Sequence, residues 1–293
     1  MNRRTFLKAS TAAITATALP TLANETAVSS APAHEAEFKL SSQEGRIPGR
    51  TMEEKIENLI KYGGVGYELP AQFDPEKVLK AIKGTPVKIS AVCAADGPYI
   101  VSDKAQRRKA VDNAKEILTR AGAVGSTGVI MVPAFNSAKG ELCGREGHGV
   151  LIDLLKELGE HAEKVKCRML MEPLDRNEAW FLLHLAYAAR ICKEVNSPGI
   201  AMMGDMYHMN IEETSDRGAF ISGGEYVHHV HLASTKRNLP GQDQRSFIDG
   251  FRGLKAIGFR DYMSLECGCI GDPAVEIPKS FKFLKEQWDQ AVI

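Results

Sequence analysis

Four residues in the second half of the chain have the types and placement to hold a cation. Glu172 follows the run CRMLM, Asp205 ends GIAMMGD, His231 sits in YVHHVHLA and Glu266 follows YMSL. Each run is short, apolar or β-branched, and reads as a buried strand. A lone carboxylate at a strand end more often caps the next helix than does chemistry. Three carboxylates and one imidazole from four successive strands ask for another explanation, because buried carboxylates repel one another unless a positive charge lies between them. A divalent cation supplies that charge. Oxygen ligation with a single nitrogen suits Mn²⁺, Co²⁺ or Mg²⁺, with Zn²⁺ also open, whereas an all-oxygen cage would point to Ca²⁺. The stretch GDMYHMNIEE then raises a further question, since it sets His208 three residues after Asp205.

These residues converge only if the elements carrying them do. Strand-like runs at 38–42, 65–69, 87–93, 128–134, 167–173, 199–205, 226–233 and 262–267 alternate with segments of helical periodicity. TMEEKIENLIKYG opens on a threonine cap and closes at glycine, and DKAQRRKAVDNAKEILTRAG, GVLIDLLKELGEHAEKV and SFKFLKEQWDQAV carry apolar residues at helical spacing. Eight βα units in about 260 residues predict an α/β fold, a single (β/α)₈ TIM barrel over residues 34–293. A doubly wound open sheet is the competing architecture. It would place a glycine-rich phosphate turn after its first strand, and SSQEGRIPGR is not one. In a barrel the active site lies where the strands end, so Glu172, Asp205, His231 and Glu266 would share one rim.

The first residues stand apart from that fold. MNRRTFLKASTAAITATALPTLA has Arg3-Arg4, then Phe6-Leu7-Lys8, then a mildly apolar Ala/Thr run, and resembles a twin-arginine export signal. Residues 1–33 are therefore expected to be a signal and flexible segment and the protein to be periplasmic, exported already folded, with no membrane anchor after processing. Lys plus Arg (37) equals Asp plus Glu (37), so no basic field exists to hold a nucleic acid, and a small neutral or weakly charged ligand fits better. The six cysteines are scattered; Cys267 and Cys269, two apart with no second pair, make a poor zinc site and read as packing residues. The oligomeric state is open, a homo-oligomer included.

The segments MEPLDRNE, GDMYHMNIEE, HVHLASTKRNLPG and SLEC resemble the sugar-phosphate isomerase/epimerase superfamily, the xylose isomerase-like barrels that include ketose 3-epimerases and hydroxypyruvate isomerase. The resemblance spans about residues 38 to 290. It implies one divalent metal, Mn²⁺ first, held by Glu172, Asp205, His231 and Glu266, with Glu172 and Glu266 doubling as the catalytic bases. It implies that His208 and Arg237 bind substrate and that Glu178 takes a substrate hydroxyl. The activity implied is isomerisation or epimerisation of a keto-sugar through an enediolate, a carboxylate on each face removing and returning the proton next to the carbonyl. The same constellation supports a lyase or dehydratase acting on a keto-glycoside or inosose. An endonuclease IV-like barrel would need histidines at the early strand ends, which read GYEL, VCAA and VPAFN. A non-catalytic sugar-binding barrel has no use for two opposed carboxylates and a metal.

Other residues receive plainer readings. Period two turns His229 inward with His231, as an interior-layer histidine, and His228 outward. His148, His161 and His184 are expected at the surface. Trp180 and Phe181 either wall the sugar or pack in the core. CAADGPY, VPAFNSAKGE and REGHG could line the pocket, without assignable roles.

Overall fold

The structure is a computed structural model and describes residues 35–138 and 142–293; the expected signal segment lies outside the described residues. Eight parallel strands close into a barrel in sequence order, β1 pairing with β8 through Leu40 opposite Met263. They are β1 Leu40–Gln43, β2 Gly66–Pro70, β3 Lys88–Cys93, β4 Val129–Met131, β5 Met169–Met171, β6 Ile200–Asp205, β7 Val227–Leu232 and β8 Tyr262–Leu265. Every strand-like run of the sequence forms a strand, shorter than the run in most cases. Residues just beyond still bond in register, Glu172 N–H donating to the Met131 carbonyl at 3.0 Å.

The helices outside the barrel are α1 Met52–Tyr62, α2 Pro75–Ile82, α3 Lys104–Ala123, α4 Gly144–Lys164, α5 Leu185–Val195, α6 Met206–Glu212, α7 Asp216–Gly223, α8 Ile248–Ala256 and α9 Pro273–Gln290. Helix α1 shows the local logic. Thr51 Oγ1 accepts the Glu54 N–H at 3.2 Å, Ile56 and Leu59 face the barrel, and Gly63 ends the helix at φ 95°, a left-handed position that glycine takes without strain. Helix α9 starts seven residues before the SFKFLKEQWDQAV segment. Asp272 caps it by accepting the Ala274 N–H at 2.9 Å, Pro273 fits the first turn, and Pro278 inside the helix does not stop it.

Two layers of burial follow from the alternation along the strands. Outward-facing residues such as Tyr67, Ile89, Met171, Met202 and Val230 pack against the helices in one continuous core. Ala91, Ile130, Leu170, Ala201 and Met203 form a separate apolar cluster drawn only from β3 to β6, inside the barrel. The rest of the interior is polar: Ser41 and Ser90 share a hydrogen bond of 2.6 Å, and Glu68 and His229 one of 2.9 Å. Gly66 is required here, because a Cβ would lie 2.7 Å from that of Ser41. One end of this half-polar interior carries the charged residues.

Candidate active site

Glu172, Asp205, His231 and Glu266 meet at the C-terminal rim of the barrel, each offering a ligand atom within 4.8 Å of the others. His231 Nδ1 stands 3.5 Å from Glu172 Oε1 and 3.3 Å from Glu266 Oε2. Asp205 and His231 are wholly buried and Glu172 nearly so. Burial pushes the carboxyl of Glu172 up to about 7 and that of Asp205 up to about 6, whereas for Glu266 His231 and Arg237 outweigh burial and hold it at about 2. Three carboxylates this close cannot all ionise cheaply without a cation.

The donor set fits a divalent metal on a structural ground. Asp205 Oδ2 and His231 Nδ1 are buried and have no hydrogen-bond partner among the described residues, although such groups are almost always satisfied. Both belong to this cluster. Asp205 also fulfils the ordinary role of a carboxylate at a strand end, since its Oδ1 accepts the Tyr207 N–H at 2.7 Å and caps α6. The segment after Asp205 is a short helix, and its first turn brings His208 back over the strand end. His208 Nε2 lies 3.5 Å from Asp205 Oδ2 and is otherwise unpartnered, while Nδ1 lies 2.6 Å from Asp175 Oδ2.

Arg237 and Glu178 complete the rim. Arg237 donates to Glu178 Oε1 at 2.8 Å and to Glu266 Oε2 at 3.1 Å, and its guanidinium lies 4.8 Å from the centre of the Tyr207 ring. Its φ of 56° is uncommon for a side-chain-bearing residue. The turn that imposes it is fixed by Arg237 N–H to Ser234 O, Ser234 N–H to Asn238 O and Gly268 N–H to Arg237 O. A cavity of about 500 Å³, lined by residues including Gln43, Lys55, Glu68, Gln72 and Cys93, opens beside the cluster over β1 to β3. Trp180 and Phe181 do not line that cavity. They border a groove between α4 and α5 with Arg145, His148, Tyr187 and Arg190. His148 is likewise more than a surface residue, tying α4 to α5 through Tyr187 and Glu194 at 2.9 and 2.8 Å.

The xylose isomerase-like TIM barrel family matches residues 57–287, most of the chain. The chain belongs to that family. This xylose isomerase-like barrel is 26% identical over 261 residues to the 3-dehydro-D-guloside 4-epimerase of Escherichia coli K12, an alignment covering 85% of this chain and 99% of the relative. With the D-psicose 3-epimerase of Enterocloster bolteae it shares 30% identity over 112 residues, 38% of this chain and 37% of that enzyme. Among solved structures, 3-keto-D-glucoside 4-epimerase from E. coli superposes with a TM-score of 0.78 at 24% identity, covering 85% of this chain and 100% of that one. An L-ribulose 3-epimerase does so with 0.78 at 19%, covering 87% and 96%; both likenesses speak to the fold. The relationship makes the chain an enzyme of the epimerase and isomerase class. A twin-arginine translocation signal matches residues 1–20, so the chain carries an export signal for that route. Among the described residues no helix is long and apolar enough to cross a membrane.

Three residues of this xylose isomerase-like site were missed in the sequence. Glu68, on β2, is 1% exposed and contacts His231. Gln43, ending β1, donates to both Glu68 and Glu266. Asp175 holds His208 from the loop after β5.

Proposed function

We propose that the protein is a divalent-metal-dependent sugar epimerase that removes and returns the proton next to the carbonyl of a keto-sugar. Glu172, Asp205, His231 and Glu266 would hold the cation, Mn²⁺ first among the candidates. When bound, it supplies a Lewis acid that stabilises negative charge on neighbouring substrate oxygens. Glu172 and Glu266 reach the cluster from β5 and β8, three strands apart, and so approach a planar enediolate from different sides. One takes the proton and the other gives one back on the opposite face, which inverts the carbon. Arg237, bridging Glu178 and Glu266, fixes the Glu266 carboxylate and presents charge to substrate oxygens. Asp175 holds His208 so that its free Nε2 faces the same space, within reach of the reacting oxygen.

The observation that carries this reading is the pair of unpartnered buried atoms, Asp205 Oδ2 and His231 Nδ1, facing two further carboxylates. A keto-glycoside is favoured over a free ketose as substrate: the guloside epimerase aligns over 99% of its length, whereas the psicose epimerase aligns over 37%. Export by the twin-arginine route would put the folded enzyme in the periplasm.

The test is incubation of the Mn²⁺-loaded protein with keto-glycosides and ketoses in D₂O, followed by NMR. The expected result is an inverted product carrying deuterium at the carbon next to the carbonyl. Turnover with no carbon-bound deuterium in substrate or product, where shielded return of the original proton is excluded, sinks the two-base scheme. An eliminated product would instead select the lyase chemistry.

A further inference from the structure

Glu68 is a buried carboxylate with no lysine or arginine partner among the described residues. Its charge is met by three side-chain N–H groups: Gln43 Nε2 donates to Oε1 at 3.0 Å, His229 Nε2 to Oε2 at 2.9 Å, and His231 Nε2 lies 3.1 Å from Oε2 and 3.2 Å from Oε1. Leaving a carboxylate in a barrel interior costs several kcal/mol unless it is paired. Ala91, Ile130, Leu170, Ala201 and Met203 fill the neighbouring part of the interior with apolar side chains, so packing alone does not ask for a charge here.

Two consequences follow from the contacts. A neutral imidazole that donates through Nε2 keeps its lone pair on Nδ1, and Nδ1 of His231 is the atom that faces Glu172 and Glu266. Ring orientation and tautomer are both set by Glu68. The Gln43 amide, which bonds Glu68, also donates to Glu266 Oε1 at 2.9 Å. That contact turns the other oxygen, Oε2, toward His231 and Arg237. One carboxylate on β2 and one amide on β1 therefore orient ligand atoms that belong to β7 and β8.

We infer that Glu68 is a positioning residue of the cation site, presenting His231 Nδ1 as the ligand atom, and that Gln43 couples the same carboxylate to Glu266. The inference rests on the metal reading above. A carboxylate behind a histidine ligand raises its basicity and fixes its direction, and removing such a partner typically weakens metal binding by about 10- to 100-fold. Glu68→Gln preserves shape but turns an amide toward one of the three donors.

The experiment titrates Mn²⁺ into the apoproteins of wild type, Glu68→Gln, Glu68→Asp and Asp205→Asn by calorimetry, with melting temperatures of each apoprotein. Expected are a loss of about 10- to 100-fold in affinity for Glu68→Gln, partial recovery in Glu68→Asp, and an apoprotein of Glu68→Gln that melts within a few degrees of wild type. The Co²⁺-loaded Glu68→Gln protein should also show an altered visible spectrum. Wild-type affinity in Glu68→Gln beside a weakened Asp205→Asn overturns the role of Glu68 and leaves the metal reading standing. Wild-type affinity in Asp205→Asn, or no binding by the wild type, overturns the metal reading and this inference with it. Should Glu68→Gln fail to fold, ¹⁵N NMR of the Zn²⁺-loaded wild type decides: His231 protonated on Nε2 is the expected state, and an unprotonated Nε2 overturns the assignment.

Discussion

Asp205→Asn probes the cation site with little damage to the fold. Asparagine keeps the oxygen that caps α6 through the Tyr207 N–H, and it caps about as well as aspartate. What it removes is one of three clustered carboxyl groups. With ligand atoms within 4.8 Å of one another and an effective dielectric of about 20, each like-charged pair repels by about 3.5 kcal/mol. With all three ionised, Asp205 has two such neighbours and its charge opposes folding of the apoprotein by several kcal/mol, of which protonation of the raised Glu172 and Asp205 carboxyls and the attraction of His208 and His231 relieve part. A bound divalent cation reverses the sign. The apoprotein of the variant should therefore melt at or above the wild-type apoprotein. With Mn²⁺ at about 100 times its Kd the wild type gains about 2.7 kcal/mol, which for a barrel of this size raises the melting temperature by about 5–10 °C. The variant should gain little. Calorimetric scans with EDTA and with Mn²⁺ measure both quantities. Full metal occupancy by elemental analysis and a wild-type shift in Asp205→Asn refute the reasoning.

Glu172→Gln and Glu266→Gln should each lower kcat by about 10² to 10⁴, and a variant that still exchanges substrate deuterium without inverting the carbon would mark the two carboxylates as separate bases. Arg237→Ala and His208→Ala should keep Mn²⁺ in elemental analysis and lose turnover; metal loss from both would make them ligands or supports. Glu212 accepts the Arg176 backbone N–H at 2.8 Å and its side-chain Nε at 2.7 Å, pinning the loop that carries Asp175 and Glu178. Its alanine variant should unfold about 1–3 kcal/mol more easily and raise KM in steady-state kinetics; an unchanged KM would separate that loop from substrate binding.

The strands were legible because each is a short apolar run ending in a polar group, and the four rim residues were legible as those endings. Glu68 was not. In VGYEL a glutamate between a tyrosine and a leucine reads as the solvated side of a half-buried strand, and only closure of the barrel makes that side an interior. Gln43 was hidden by its polar surroundings, SSQEGR, where nothing in the local pattern separates a residue that ends a strand from one that begins a loop. Asp175 sits in an irregular segment whose path depends on Glu212, far away in sequence. In each case the missing information is a contact between distant elements, which period and propensity do not encode.

The spacing of Asp205 and His208 has a physical answer in helix α6. In extended chain, three residues would carry His208 about 10 Å from Asp205. One helical turn instead puts positions i and i+3 on the same face, and the Nε2 to Oδ2 distance is 3.5 Å. The turn starts because Asp205 caps it. Capping and the proposed ligation, which look like rival readings of a carboxylate at a strand end, would use different oxygens here. Oδ1 satisfies the helix, and by doing so aims Oδ2 into the cluster and lifts His208 over it. A residue that caps but cannot ligate would keep His208 in place and leave the cluster one ligand short. One that ligates but cannot cap would loosen His208 while leaving the ligand count intact. On the proposed reading the two functions are therefore separable by substitution, although a single aspartate would perform both.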